Sequence, residues 1–144
     1  MMIVRDIMTT DVVTIEPTHT AQAAAKQMKK SRTHGLVVVQ KGKLIGILSE
    51  GDIITKVIAE NKLASKVKVK DIMTKEVIMI LPTLDVIDAA GIMAEKHIKK
   101  LPVVSVGKLL GVVTAMDIVE SEPQLMKDLS KLFLISSKKK TVAG

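Results

Sequence analysis

Cysteine, tryptophan and tyrosine are absent from this 144-residue chain, and Phe133 is its one aromatic residue. Without cysteine there is no disulfide framework, no thiol nucleophile and no thiolate metal ligand. Without aromatic platforms, the base stacking that single-stranded nucleic-acid binders rely on has nothing to rest on. No apolar run approaches the roughly 20 residues of a membrane helix. The longest, such as Val77-Ile78-Met79-Ile80-Leu81, have the length of a strand. The opening Met1-Met2-Ile3-Val4-Arg5-Asp6 lacks the charged-then-apolar order of a secretion signal. These absences predict a soluble, cytoplasmic protein with no membrane segment, long enough to bury a real core.

Catalytic signatures are missing too. There is no Gly-x-x-x-x-Gly-Lys-Ser/Thr phosphate loop and no Gly-x-Ser-x-Gly elbow. His19, His34 and His97 are scattered without a metal-ligand spacing, so no metal site is expected. The chain reads as a non-enzyme that needs no cofactor. Its net charge of +7 favours anionic partners without choosing among nucleotide, nucleic acid and lipid surface.

What the chain does contain is a duplication. At a constant offset of 65 residues, Asp6-Ile7-Met8-Thr9 recurs as Asp71-Ile72-Met73-Thr74, Pro17-Thr18 as Pro82-Thr83, and Ala24-Ala25 with Met28 as Ala89-Ala90 with Met93. Leu36 with Val38-Val39 returns as Leu101 with Val103-Val104, Gly42-Lys43-Leu44 as Gly107-Lys108-Leu109, and Gly46 with Asp52-Ile53 as Gly111 with Asp117-Ile118. The repeats span 1–60 and 67–121, with a polar linker at 61–66, a helix at 122–135 and a basic, disordered tail at 136–144.

Within each repeat, Val12-Val13-Thr14-Ile15 and Val77-Ile78-Met79-Ile80 are β-rich and stop at a proline, which predicts strands. Thr20 and Asp85 are N-caps for alanine-rich helices over 21–30 and 86–96. Two apolar strands around Gly42, and two around Gly107, read as hairpins. A second helix follows, from about Gly51 to Glu60 in the first copy, so each repeat is β-α-β-β-α, an α/β (α+β) class. In the final helix, Leu125, Leu129, Leu132 and Phe133 share a face, to cover apolar surface on this chain or on a neighbour.

The stretch with chemical content is Gly46-Ile47-Leu48-Ser49-Glu50-Gly51-Asp52-Ile53 and its echo Gly111 to Ile118. Each places a hydroxyl and a carboxylate at the first turn of a helix, where they suit a ribose diol and a phosphate. Ser49-x-x-Asp52 and Thr114-x-x-Asp117 are equally simple capping boxes, with no ligand needed to explain them.

The order of Asp-Ile-Met-Thr, Pro-Thr, alanine-rich helix, Leu-Pro-Val-Val, Gly-Lys-Leu and Gly-apolar-apolar-Ser/Thr-x-x-Asp-Ile over residues 3–120 resembles the CBS domain, named after cystathionine β-synthase. The tandem pair looks like a Bateman module of pseudo-two-fold symmetry. Val37 departs from the pattern, standing where the second repeat has Pro102, and Ser49 replaces the threonine seen at Thr114.

The resemblance implies a ligand cleft between the repeats. Asp117, Thr114 and Val112 would be completed by Thr9, Asp11, Val13 and Thr33, and Asp52, Ser49 and Ile47 by Thr74, Glu76, Ile78 and Ile98. Phosphate-facing positions before the third-element strands are held by His34 and Gly35 in one copy and by Lys99 and Lys100 in the other. It implies a stand-alone regulatory module that senses AMP, ADP or ATP and modulates an unknown partner protein, and a homodimer. S-adenosylmethionine or methylthioadenosine is the nearest variant. The competing class is a ligand-free scaffold that binds protein or nucleic acid through its basic surface.

Overall fold

A computed structural model describes residues 1–130 and residue 132. Phe133, the end of the predicted helix at 122–135 and the tail at 136–144 lie outside the described residues.

The chain divides into two compact units that are not the two repeats. Unit 1 gathers Met1–Thr10, Ile78–Val106 and the described residues from Leu110 onward; unit 2 gathers Asp11–Val77 and Gly107–Leu109. Each repeat therefore lends its leading segment to the unit that holds the body of the other. The same three backbone hydrogen bonds fasten both. In unit 1 the amide of Val4 donates to the Leu84 carbonyl (2.8 Å), that of Arg5 to Pro82 (2.9 Å) and that of Val86 to Met2 (3.0 Å). In unit 2 the amide of Val69 donates to His19 (2.8 Å), that of Lys70 to Pro17 (3.0 Å) and that of Ala21 to Val67 (2.8 Å). Val4 and Val69, equivalent at the repeat offset, are both fully buried. The Pro-Thr motif thus marks a carbonyl that receives the leading segment.

In unit 2, β1 (Thr14–Ile15) runs parallel to β2 (Gly35–Gln40), which runs antiparallel to β3 (Lys43–Ser49). Positive φ at both Lys41 and Gly42 gives the hairpin a turn whose twist matches that of its strands. Helix α1 (Ala21–Ser31) begins at Thr20, whose hydroxyl accepts from the Ala23 amide at 3.1 Å. Its Ala21, Ala24 and Met28 pack with Leu36, Val38 and Leu48 of the sheet, with Ile53 of α2 (Glu50–Ile53) and with Ile72 of α3 (Val69–Ile72). Alanine at the contact lets the helix approach the sheet closely.

Unit 1 repeats the scheme. Helix α4 (Val86–Lys96) starts at Asp85, which accepts from the Ile87 amide at 2.8 Å. Ala89, Ala90 and Met93 pack on Leu101 and Val103 of β4 (Lys100–Ser105), Val113 of β5 (Lys108–Thr114) and Ile118 of α5 (Ala115–Ser121). The final helix covers this same unit: Leu125, Leu129 and Leu132 are buried in its core. A 3-10 turn at Pro123–Leu125 leads into helix at 126–130.

Local expectations are corrected at the two leading strands and at one helix. The strand predicted over 77–80 is absent; only Ile80 bridges β4, opposite Val103. The reason is Pro102. In the first repeat the Val37 amide extends the parallel ladder by donating to the Val13 carbonyl (3.4 Å), and proline at the equivalent place has no proton to give. Even in the first repeat the strand is confined to Thr14–Ile15, shorter than the 12–15 run suggests. The helix expected from Gly51 to Glu60 is α-helical only to Ile53 and continues as a π-helix over Ile54–Ile58. There the Thr55 hydroxyl donates to the Gly51 carbonyl at 2.7 Å, competing for the acceptor that the Thr55 amide would use in an α-helix. The linker carries a 3-10 turn at Ala64–Lys66, and Ala64 packs on the unit 2 core.

Candidate functional site

Two glycines explain how each hydroxyl and carboxylate pair acquires its neighbours. A β-carbon on Gly111 would lie 2.7 Å from the Thr9 carbonyl oxygen and 3.0 Å from the Met8 sulfur. One on Gly46 would lie 2.7 Å from the Met73 sulfur and 2.9 Å from the Thr74 carbonyl oxygen. Only glycine lets the Met-Thr segment cross so near the strand. The crossing is then pinned by a two-bond bridge. Thr9 and Val112 exchange amide-to-carbonyl bonds of 2.9 and 2.9 Å, and Ile47 and Thr74 exchange bonds of 2.9 and 2.8 Å. Thr9 and Thr74 are thereby held two residues along the strand from Thr114 and Ser49.

At the strand ends both capping boxes are closed. The Ser49 hydroxyl accepts from the Asp52 amide (3.1 Å) while the Ser49 amide donates to Asp52 Oδ2 (2.9 Å). The Thr114 hydroxyl accepts from the Asp117 amide (3.0 Å) while the Thr114 amide donates to Asp117 Oδ2 (2.9 Å). Each aspartate spends one carboxylate oxygen on its own helix. The remaining oxygens differ. Asp52 Oδ1 is 3.1 Å from Lys56 Nζ, and that ammonium also donates to the Ile72 carbonyl at 2.9 Å. At the position equivalent to Lys56 the second copy has Ser121, and among the described residues Asp117 forms no ion pair.

Unit 1 thus brings together Thr9, Val112, Thr114 and Asp117. It also holds Lys99 and Lys100, both exposed, with the Lys99 carbonyl accepting from the Ala115 amide at 2.8 Å. Ile98 packs against the unit 1 core, and Ile78 is partly exposed. Unit 2 brings together Ile47, Ser49, Asp52 and Thr74. It also holds Asp11 and Glu76, both exposed, and Val13, packed on the core. Thr33 and His34 lie in unit 2 along a groove of about 540 Å³ that Arg32, Glu50 and Ile53 also line. There His34 Nδ1 is 3.2 Å from Glu50 Oε2, and the buried Thr33 hydroxyl has no partner among the described residues.

Lys56 is the residue that sequence reasoning passed over. Its signal was available as Asp52-x-x-x-Lys56, a spacing that puts both side chains on one helix face. Among the described residues no three of His, Asp and Glu gather as a metal site, and no helix is long and apolar enough to cross a membrane.

Comparison with known proteins gives this geometry its context. An uncharacterized protein of Methanopyrus kandleri is 37% identical over 123 residues, covering 84% of this chain and 63% of its own length, so the chain spans less than two thirds of that relative. The inosine-5'-monophosphate dehydrogenase of Korarchaeum cryptofilum is 40% identical over 121 residues, covering 82% of this chain and 24% of the enzyme. Among solved structures, a hexameric CBS-CP12 protein from bloom-forming cyanobacteria matches with a TM-score of 0.71 and 32% identity, over 84% of this chain and 72% of that one. The pattern described as CBS domain matches twice, at residues 4–59 and 69–123, which makes this chain a member of the CBS domain family with two such domains in tandem.

Proposed function

We propose that the chain is a regulatory module that binds an adenosine-containing ligand, AMP, ADP or ATP, through Asp117 and its neighbours Thr114, Val112 and Thr9. CBS domain pairs are in general regulatory ligand-binding modules rather than catalytic ones, and the match to the dehydrogenase covers a quarter of that enzyme. The observation that carries the reading is the state of Asp117. One carboxylate oxygen closes the cap, and the other has no cationic partner among the described residues. A carboxylate in that state suits a vicinal diol, as the two hydroxyls of a ribose can both donate to it. The Thr114 hydroxyl uses a lone pair for the cap and keeps its proton to donate.

Binding regulates only if the ligand prefers one state of the module, and the proposal includes a partner protein that distinguishes those states. Self-association, as homodimer or larger, belongs to the same proposal; the solved relative just described is a hexamer.

The test is calorimetry with AMP, ADP, ATP, S-adenosylmethionine and a generic DNA duplex, on the wild type and on Asp117→Asn. We expect heat with the adenine nucleotides and at least a tenfold loss in the variant, with little change in the stability of the free protein. If Asp117→Asn keeps its affinity and loses about 1 kcal/mol of stability, the residue is a cap and nothing more. An absence of heat with every adenosine compound, together with salt-sensitive DNA binding, overturns the reading in favour of a basic scaffold.

A further inference from the structure

The two halves of the duplication carry the same cap, and four residues after its aspartate one half has Lys56 where the other has Ser121. Both oxygens of Asp52 are engaged, Oδ2 by the Ser49 amide at 2.9 Å and Oδ1 by Lys56 Nζ at 3.1 Å. The Asp52 side chain is 12% exposed and that of Lys56 44%, so the carboxylate is sheltered while water reaches the pair from the lysine side. Lys56 does not swing freely, because the same ammonium donates to the Ile72 carbonyl at 2.9 Å. Ile72 lies two residues before Thr74, which the Ile47 bridge holds beside β3. The lysine therefore ties the carboxylate of α2 to the segment that supplies the threonine of that half.

We infer that Lys56 is an internal occupant of the Ser49–Asp52 half, standing where a ligand's diol would donate, and that it restricts the chain to one adenosine site, at Asp117. This rests on the function proposed above and adds the determinant of how many sites are open. Diol and ammonium both make charge-assisted bonds to a carboxylate, but the ammonium adds the attraction of opposite charges and a second bond to the Ile72 carbonyl, all of which a neutral hydroxyl pair must displace. At Asp117 the equivalent position is Ser121, too short and uncharged to do the same. Spacing is what makes the device work, since residues four apart on a helix are neighbours.

The experiment is calorimetric titration of the full chain with AMP, read as stoichiometry. The wild type is expected to take one AMP per chain, and Lys56→Met, which keeps the aliphatic stem and removes the charge, to take two. Adding Asp52→Asn to Lys56→Met should return the count to one. The reciprocal variant, Ser121→Lys, installs an ammonium four residues after Asp117 and should weaken the single wild-type site at least tenfold. Ser121→Lys keeps the inference testable should Lys56→Met fail to fold.

A wild type that takes two AMP per chain, a folded Lys56→Met that still takes one, or a Ser121→Lys that binds like wild type overturns the inference and leaves the adenosine reading standing. A wild type that binds no adenosine compound overturns the reading itself, and the inference with it. Stoichiometry is the deciding readout because a merely structural lysine would change melting temperature and not the number of sites.

Discussion

The cap at Ser49 and the cap at Thr114 have hydrogen bonds that agree to within 0.1 Å, yet among the described residues one carboxylate is paired with a lysine and the other is not. The copies also stand in differently finished units. Unit 2 is closed by its linker and the segment after it, through Ala64, Val67 and Val69. Unit 1 is closed by the chain's start, through Val4, and also by Leu125, Leu129 and Leu132, which lie beyond the repeat. A duplication preserves what both copies need to fold, namely the cap, the glycine crossing and the alanine face. The copies differ at 56 and 121, beside the cap, at Val37 and Pro102 within the sheet, and at the edges of the repeat.

The sharpest way to break the comparison is to remove the part that only unit 1 has. Leu129→Ala, at a fully buried position, should cost about 2–5 kcal/mol in urea unfolding, because the lost contacts and the remaining cavity both count. If the loss is below about 0.5 kcal/mol, an ordinary figure for surface substitutions, the C-terminal segment is not part of the unit 1 core.

A smaller effect tests whether the two crossings are equally tight. Gly111→Ala drives a methyl into a backbone carbonyl at 2.7 Å, whereas Gly46→Ala meets a methionine sulfur first and the Thr74 carbonyl at 2.9 Å. Overpacking costs about 1–3 kcal/mol, and Gly111→Ala should fall toward the upper end, since methionine can move aside and a carbonyl cannot. Equal losses in thermal melts would show that the side chain gives no relief.

The smallest effect lies at the hairpins. Lys41 and Val106 hold φ of 53° and 52° at equivalent turns, and a β-branched residue is poorly suited to that region. Val106→Asn should raise stability by about 1 kcal/mol and Lys41→Asn by less, both measured by denaturant midpoint. A larger gain at 41 would mean that branching at the β-carbon is not the source of the strain.

Much of this was legible in the sequence because it is local. The 65-residue offset, the caps at Thr20, Asp85, Ser49 and Thr114, the alanine helices and the glycine turns follow from short patterns. The misread pieces depend on a partner strand or a competing acceptor. Val77 to Ile80 has the composition of a strand, and whether it becomes one is decided by the missing proton of Pro102 across the sheet. The π-helical stretch after Ile53 turns on the Thr55 hydroxyl taking the Gly51 carbonyl. For the candidate site, the Ser/Thr-x-x-Asp pairs could be read directly, and the Asp52-x-x-x-Lys56 spacing was there to be read.

By itself the sequence determined that two copies of one pattern would form, each with an alanine-rich helix, a hairpin, and a hydroxyl and a carboxylate at a helix start, because periodicity and capping act over a few residues. Only the tertiary structure decided which body receives which leading segment. Residues 6–9 and 71–74 are identical, so no local preference distinguishes them. Long-range packing around Val4 and Val69 makes the assignment, and with it places Thr9 beside Val112, Thr74 beside Ile47 and the Ile72 carbonyl within reach of Lys56.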